Sequence, residues 1–524
     1  MTAVLEPPAA SDRPASHRAD PDAPASWRDR LAPLARPRGG WGWTLLVGLL
    51  AGLLRFLRLD LPAGRIFDEI YYACDAQNLL RYGVEHNTLP NNADCIPTGE
   101  GAFVVHPPLG KWAIAAGEKL FGVNELGWRF SAAVAGTLTV VLVVRAGRRL
   151  TGSSLLGCLA GLLLALDGLS FVQSRIAMLD IFLVLWTTAA ATCLLADRDQ
   201  VRSRLAATAD ADLAGRGPRL GFRPWRLAAG VCLGAGLATK WSAVYYLVAL
   251  LVLALAWEAG ARRAAGVRDP RRATLVRSLV PTLLVLVALP GLLYVLSWAG
   301  WFAGDLGWDR RWAQEHPDDT MLGFLPDALR SWVAYHREIL AFHDSLSSPH
   351  PYQSHPAGWL LLVRPVSYYY PPGITTGAYG CTVASCSREV LAIGTPAIWW
   401  ASIAMLVALL WLWVAKRDWR AGALLLLSAA AIVPWIRDDL HQRTMFLFYA
   451  LPAVPFLCLG LALVAGYALG TRQSSPRRRL VGSLGVGVYV SLVVLNFAYL
   501  YPVLAAQTLP YSSWLSRMWL PSWI

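Results

Sequence analysis

The sequence predicts an all-α polytopic membrane protein with about 11 transmembrane helices and two larger outer loops carrying interfacial helices. Three observations carry that prediction. Of the 524 residues, 56% are apolar and only 15% charged, whereas a soluble domain carries about a quarter charged residues. The apolar excess is gathered into repeated runs of about 20 residues, the length that crosses roughly 30 Å of hydrocarbon. Basic residues, mostly arginine, collect in alternate short loops between those runs, which is a topological signal. The net charge of +13 is therefore no sign of nucleic acid.

The runs place spans at 42–61, 127–147, 152–170, 179–196, 226–240, 243–261, 278–298, 396–415, 420–436, 444–470 and 480–501. Residues 1–41 are rich in Pro, Ala, Arg and Asp without an apolar stretch, and read as a disordered cytoplasmic tail. No cleavable signal peptide is visible, so the first span is expected to stay in the membrane. With the N-terminus inside, the inner segments hold 29 of the 47 basic residues against 12 of the 34 acids. That asymmetry puts loops 62–126 and 299–395 and the tail 502–524 outside, so residues 42–501 form one transmembrane domain in a plasma membrane. No internal repeat is visible, which weighs against a transporter built from two echoing halves.

Both long loops are rich in His, Tyr, Trp, Asp and Pro, while the inner loops are plain Arg and Ala. Long loops in a compact protein carry function, so the chemistry is expected to face outward. Phe67-Asp68-Glu69 opens a helix ending near Gly83. Asp68, Tyr72 and Asp75 then share a face, and Glu69 points about a quarter turn away. Charge at the mouth of a membrane helix is costly and reads as functional; the bland reading is that Asp68 caps the helix. His106-Pro107-Pro108-Leu109-Gly110-Lys111 enters a second helix with Lys111 in its first turn, where free N–H groups favour anions. Lys111, Arg129, Arg175 and Lys240 are four outer-facing cations that could surround a phosphate, or simply snorkel to the headgroups.

Residues 335–370 set aromatic rings among His336, His343, Tyr352 and Arg364, a mixture suited to sugar faces and hydroxyls. His336 and His343 share a helical face, but no Glu completes a hydrolase pattern, and no metal site is expected. Arg437-Asp438-Asp439 with Arg443 is either a self-neutralising cluster or part of the site. Asp197-Arg198-Asp199 falls inside and reads as a solvated helix terminus. Cys158, Cys193, Cys232 and Cys458 lie in spans as small apolar fillers. Cys74, Cys95, Cys381 and Cys386 lie in the outer loops, where Cys381–Cys386 and Cys74–Cys95 bridges are candidates.

These stretches together resemble a known family. Phe67-Asp68-Glu69-Ile70-Tyr71-Tyr72, His106 to Lys111, Trp128-Arg129, Ser174-Arg175 to Asp180, Thr239-Lys240-Trp241, and His350-Pro351-Tyr352-Gln353-Ser354 on to Arg364 to Tyr370 are similar, in order, to the protein O-mannosyltransferases in their actinobacterial form. These are integral-membrane glycosyltransferases of the type C fold. The resemblance covers about residues 43–500 and implies transfer of mannose from polyprenyl-phosphate mannose to Ser or Thr of polypeptides emerging from the Sec translocon. It implies Asp68 as catalytic base with Glu69 beside it in substrate binding, orienting acceptor or donor. It also implies no cofactor, because the lipid-linked sugar is a substrate. The eukaryotic members' β-trefoil insertion is missing, since 299–395 is too short for it.

The residues themselves agree with that chemistry. A lipid phosphate leaves as a stable anion and needs cations rather than an acid, while the attacking hydroxyl needs one base. Lys111, Arg129, Lys240 and Arg175 are the expected phosphate ligands. Tyr72, His106, His336, His343, Arg364 and Tyr352 are the expected substrate contacts. A sugar transferase acting on an envelope lipid, and a transporter or flippase, are the competing readings.

Overall fold

The computed structural model describes residues 28, 31–32, 39–89, 95–208, 210–213, 215–319, 322–471 and 473–524. The expected tail, 1–41, falls mostly outside them. Its described residues are docked: Arg28 pairs with Asp210 at 3.0 Å, and Leu31 is fully buried among Val201, Leu205 and Ala261.

The principal helices are α1 (Trp41–Phe56), α2 (Glu69–Tyr82), α3 (Leu109–Phe121), α4 (Glu125–Thr151), α5 (Ser154–Ala165), α6 (Gly168–Gln173), α7 (Asp180–Ala206), α8 (Pro224–Leu237), α9 (Ala243–Ala264), α10 (Pro270–Ser297), α11 (Asp327–Ser345), α12 (Pro396–Lys416), α13 (Trp419–Leu440), α14 (Leu447–Leu469) and α15 (Pro476–Leu504). Among the described residues, eight of these are long and apolar enough to cross a membrane: α4, α7, α9, α10, α12, α13, α14 and α15. The remaining three expected spans fall on the shorter helices α1, α5 and α8, of 16, 12 and 14 residues.

The third span is cut short for a visible reason. Asp167 ends the α5 run, and its carboxylate caps α6 by accepting from the Ser170 N–H at 2.9 Å. It also accepts from the Trp399 indole at 2.7 Å and the Thr395 N–H at 3.2 Å, tying the break to the start of α12. Close packing of α4 on α5 depends on small residues: a Cβ at Gly147 would stand 3.0 Å from Gly157 Cα. Helices α7 and α14 are the most enclosed, while α10 and α15 lie at the margin.

One end of the bundle carries both long loops. The first holds α2, a short antiparallel hairpin of β1 (His86–Thr88) and β2 (Pro97–Gly101), and α3. The second holds α11 and strands β3 (Val366–Tyr369), β4 (Cys386–Arg388) and β5 (Val390–Ala392). β3 pairs with β5, and β4 pairs with β6 (Thr508–Pro510), so the C-terminal segment folds back onto this platform. Cys74–Cys95 and Cys381–Cys386 are both disulfide-bonded.

At the opposite end, the expectation of a solvated Asp197-Arg198-Asp199 is not met. Asp197 is buried and accepts from Arg223 Nε at 2.7 Å, and Asp199 pairs with Arg149 at 3.0 Å. Buried Glu258 takes Arg223 at 2.6 Å and Arg262 at 3.0 Å. Residues 215–223 bring Arg223 and the start of α8 against α7, and a buried acid demands such partners.

Candidate active site

The centre lies at the loop-bearing end, where α2, α3, α7, the α8–α9 turn, α11 and the start of α14 meet. Its first residue is placed by a backbone reversal. Phe67 adopts φ 49°, its ring held against Tyr368 at 4.4 Å, and Asp68 follows at the N-cap position of α2. The Asp68 side chain makes no capping hydrogen bond, so the capping role is absent and the carboxylate stays available. Burial pushes its pKa up to about 6, with Lys240 opposing and Asp180 adding to the rise.

Lys240 is the predicted cation that stands beside Asp68. Its ammonium donates to both oxygens of Asp180, at 2.9 and 3.0 Å, and lies 5.0 Å from the centre of the Tyr449 ring. Burial works against the Lys240 charge, but Asp180, Tyr449 and Asp68 outweigh it, and its pKa lies above the ordinary lysine value. Tyr72, one turn along α2 from Asp68, faces His106 at 6.5 Å between ring centres, and His106 faces His343 at 5.7 Å. Arg443 closes this side. It donates to Asp438 at 2.7 Å and contacts His343 Nδ1 at 3.1 Å, while its buried Nε–H has no partner among the described residues.

Because a guanidinium can only donate, His343 Nδ1 accepts and its Nε2–H points to the Val105 carbonyl at 3.4 Å. Burial, then Arg443, lowers the His343 pKa to about 4. His106 is likewise held well below its usual range, by burial first and then by Lys240, His343, Lys111 and Arg443. Both imidazoles are neutral near pH 7, and His106 is free to accept from a hydroxyl.

Several expected site residues are committed elsewhere. Glu69 is fully buried, and four donors fill its carboxylate: Arg129 Nε at 2.8 Å, Arg129 Nη2 at 2.8 Å, the Ile66 N–H at 3.0 Å and the Ala177 N–H at 2.9 Å. Arg129 spends its other donors on the carbonyls of Pro62 at 2.8 Å and Gly64 at 2.9 Å. Neither is placed to touch a substrate, because each meets the other's buried charge. Arg175 donates to the carbonyls of Arg55, Leu57 and Arg58 at 2.7–2.8 Å, closing the C-terminal end of α1 rather than a phosphate. Lys111 is in the first turn of α3 as expected, but it is buried between Glu85 at 2.5 Å and Asp75 at 3.4 Å.

His336 sits behind Trp241, its Nε2 2.6 Å from the Tyr294 hydroxyl and its Nδ1 2.7 Å from the Trp332 carbonyl, so both ring nitrogens are occupied. Arg364 holds the chain terminus through the carbonyls of Ser522 and Ile524, with its guanidinium 5.2 Å from the Tyr352 ring. Neither Arg364 nor Tyr352 makes a hydrogen bond or ion pair with Asp68, Lys240 or Asp180 among the described residues. Among the described residues, no group of three or more His, Cys, Asp or Glu side chains could hold a metal ion.

Asp180 and Tyr449 escaped the sequence reading as site residues, while Arg443 stood there in a cluster read as either self-neutralising or part of the site. Asp180 and Arg443 were visible as charges at span ends, and only their partners were hidden. Tyr449 carried no signal, being one ring in an apolar run.

Fold and family together make the chain an integral-membrane glycosyltransferase of the type C architecture. Residues 45–299 match the family model for dolichyl-phosphate-mannose-protein mannosyltransferase, and residues 328–430 match the C-terminal four-span region of protein O-mannosyltransferase. The polyprenol-phosphate-mannose–protein mannosyltransferase of Mycolicibacterium smegmatis is 42% identical over 94% of each chain. The Corynebacterium glutamicum protein of the same name is 35% identical over 94% of this chain and 96% of that one. The Saccharomyces cerevisiae Pmt1–Pmt2 complex bound to the sugar donor has the same fold, with TM-score 0.70 over 93% of this chain and 92% of that one at 14% identity. The chain belongs to the protein mannosyltransferase family.

Proposed function

We propose that this protein transfers mannose from polyprenyl-phosphate mannose to Ser or Thr hydroxyls of polypeptides, by a single displacement with inversion. The observation that carries the reading is the Asp68 carboxylate, without a hydrogen-bond partner among the described residues and within electrostatic reach of the Lys240–Asp180 pair. Asp68 takes the proton of the acceptor hydroxyl as its oxygen attacks the anomeric carbon. The bond from that carbon to the phosphate oxygen breaks on the opposite face, and the electron pair stays on the lipid phosphate. Lys240 and the unpartnered Nε–H of Arg443 are the donors available to that developing charge. His106 and Tyr72 line the space between and present polar atoms to sugar hydroxyls. A glycosidase would instead need two opposed carboxylates and a water.

The arginine-rich short loops support an arrangement with the N-terminus cytoplasmic and the Asp68 centre, with the C-terminus, facing the extracytoplasmic side. There it would meet membrane lipids, its lipid-borne donor and chains leaving the Sec translocon. Incubation of the purified enzyme with labelled polyprenyl-phosphate mannose and a Ser/Thr-rich peptide tests the reaction. Labelled peptide is expected; label appearing only on lipid would replace protein with a cell-envelope acceptor.

A further inference from the structure

Helix α15 leaves the bundle margin with an apolar groove on its inner side. A cavity of about 700 Å³ runs between α14 and α15, lined by Leu461, Val464 and Ala468 on one wall and by Val481, Gly485 and Val486 on the other. The two helices touch at Gly482, where a Cβ would fall 2.2 Å from the Ala468 carbonyl oxygen. Three residues on, a Cβ at Gly485 would meet nothing within 4 Å, so the groove is open there. At its mouth stand Arg477 and Arg478, and Arg478 also lines an adjoining cavity of about 650 Å³ with Arg479, Ser474 and Ser153.

The charge at this mouth is uncompensated. No ion pair or hydrogen bond reaches the guanidinium groups of Arg477, Arg478 or Arg479 among the described residues; the one side-chain contact here is the Arg478 backbone N–H donating to Ser475 Oγ at 3.3 Å. Neighbouring Arg420, by contrast, is satisfied by Asp418 at 2.7 Å and Tyr467 at 3.0 Å. The three guanidinium groups also open a 29-residue helix, whose free N–H groups add to the positive field.

We propose that this groove is a binding site for one anionic glycerophospholipid, with an acyl chain along the α14–α15 wall and its phosphate on Arg477 and Arg478. An apolar slot ending in unpaired arginines matches a chain ending in a phosphodiester. A zwitterionic headgroup would bring its own cation against them. The sugar donor is excluded by distance: α15 is about 43 Å long at 1.5 Å per residue, and its other end, at Leu504, is the one that leads into the loop platform through β6. None of Asp68, Tyr72, His106, Asp180, Lys240, His343 or Arg443 lines this groove. Occupancy would brace α15, whose far end supplies β6 to the β4 pairing.

Native mass spectrometry of the full-length, delipidated protein tests this, titrating phosphatidylglycerol against phosphatidylcholine of the same chains. One saturable phosphatidylglycerol adduct, about ten-fold tighter than phosphatidylcholine, is expected. Replacing Arg477, Arg478 and Arg479 together by Ala should bring it to the phosphatidylcholine level. Gly485→Trp, which fills the groove and keeps every arginine, should lose the adduct with mannosyl transfer within about two-fold of the parent; Gly485→Leu serves if the larger residue impairs folding. Equal binding of the two lipids overturns the proposal, as does undiminished phosphatidylglycerol binding in the folded Gly485 variants, which would make the arginines an ordinary headgroup rim. Preferential displacement by polyprenyl phosphate would likewise overturn it.

Discussion

Glu69 and Arg129 form a two-pronged ion pair, 2.8 Å at each contact, under the turn that presents Asp68. The two adjacent acids of the Asp68-Glu69 motif are therefore held differently: Asp68 makes no capping hydrogen bond, and Glu69 is a fixed anchor for the loop. Arg129 joins the carbonyls of Pro62 and Gly64 to that anchor, so the position of the proposed base depends on a pair whose charges are already spent on each other.

Breaking the pair should first cost folding. Glu69→Ala leaves the buried guanidinium of Arg129 without its counter-charge, and is expected to destabilise by about 3–5 kcal/mol. Thermal unfolding in detergent reads this loss. The double change Glu69→Leu with Arg129→Met should recover part of it, because it removes both charges together. A Glu69→Ala protein of full stability that had lost only turnover would return Glu69 to the reacting groups.

Asp68→Asn should reduce transfer by at least about 10²–10⁴-fold, the usual contribution of a positioned base. It should not reduce stability. The folded-state pKa of Asp68 is raised to about 6 from 3.8, so ionisation costs the folded state more than the unfolded one. That cost is absent below about pH 4, grows as pH rises to about 6, and is fully present at pH 7. Removing the charge is thus expected to be neutral or stabilising by up to about 3 kcal/mol at pH 7. A melting curve beside the hexose-transfer assay separates the two effects.

The same shift sets the pH dependence of the reaction. Only ionised Asp68 can take the proton, so kcat/KM should rise with pH through about 6 and level off above 7. His343 is held at about 4 and His106 well below its usual range, so neither should add an inflection between pH 6 and 8. A profile measured at saturating and at limiting donor checks this, and a rate independent of pH from 5 to 7 would remove Asp68 as the base.

Lys240→Ala should lower kcat/KM by about 10²-fold, the scale found when one donor to a developing anion is removed. Lys111→Ala should act mainly on stability, because it leaves Asp75 and Glu85 buried without their shared cation. A donor-binding measurement with the lipid phosphate alone distinguishes them: weakened for Lys240→Ala, and within about two-fold of the parent for folded Lys111→Ala.

The sequence by itself determined the membrane-spanning architecture, the order of the family motifs and the identity of the candidate base. Hydropathy runs and arginine placement act locally, within one helix length, and the Asp68-Glu69 pair is conspicuous because charge at a span mouth is costly. It could not say which charges were available. Lys111, Arg129, Arg175 and Lys240 look alike as basic residues at span ends. They differ only in partners that tertiary contact supplies: Arg129 reaches Glu69 from 60 positions away, Arg175 reaches the Leu57 carbonyl from 118, and Lys240 reaches Asp180 from 60 while remaining beside Asp68. Burial makes such pairing obligatory, and packing chooses the partner. The three-dimensional fold therefore decided that Arg129 and Arg175 brace the segment that follows α1, Lys111 neutralises a pair of acids, and Lys240 pairs with Asp180 within electrostatic reach of Asp68.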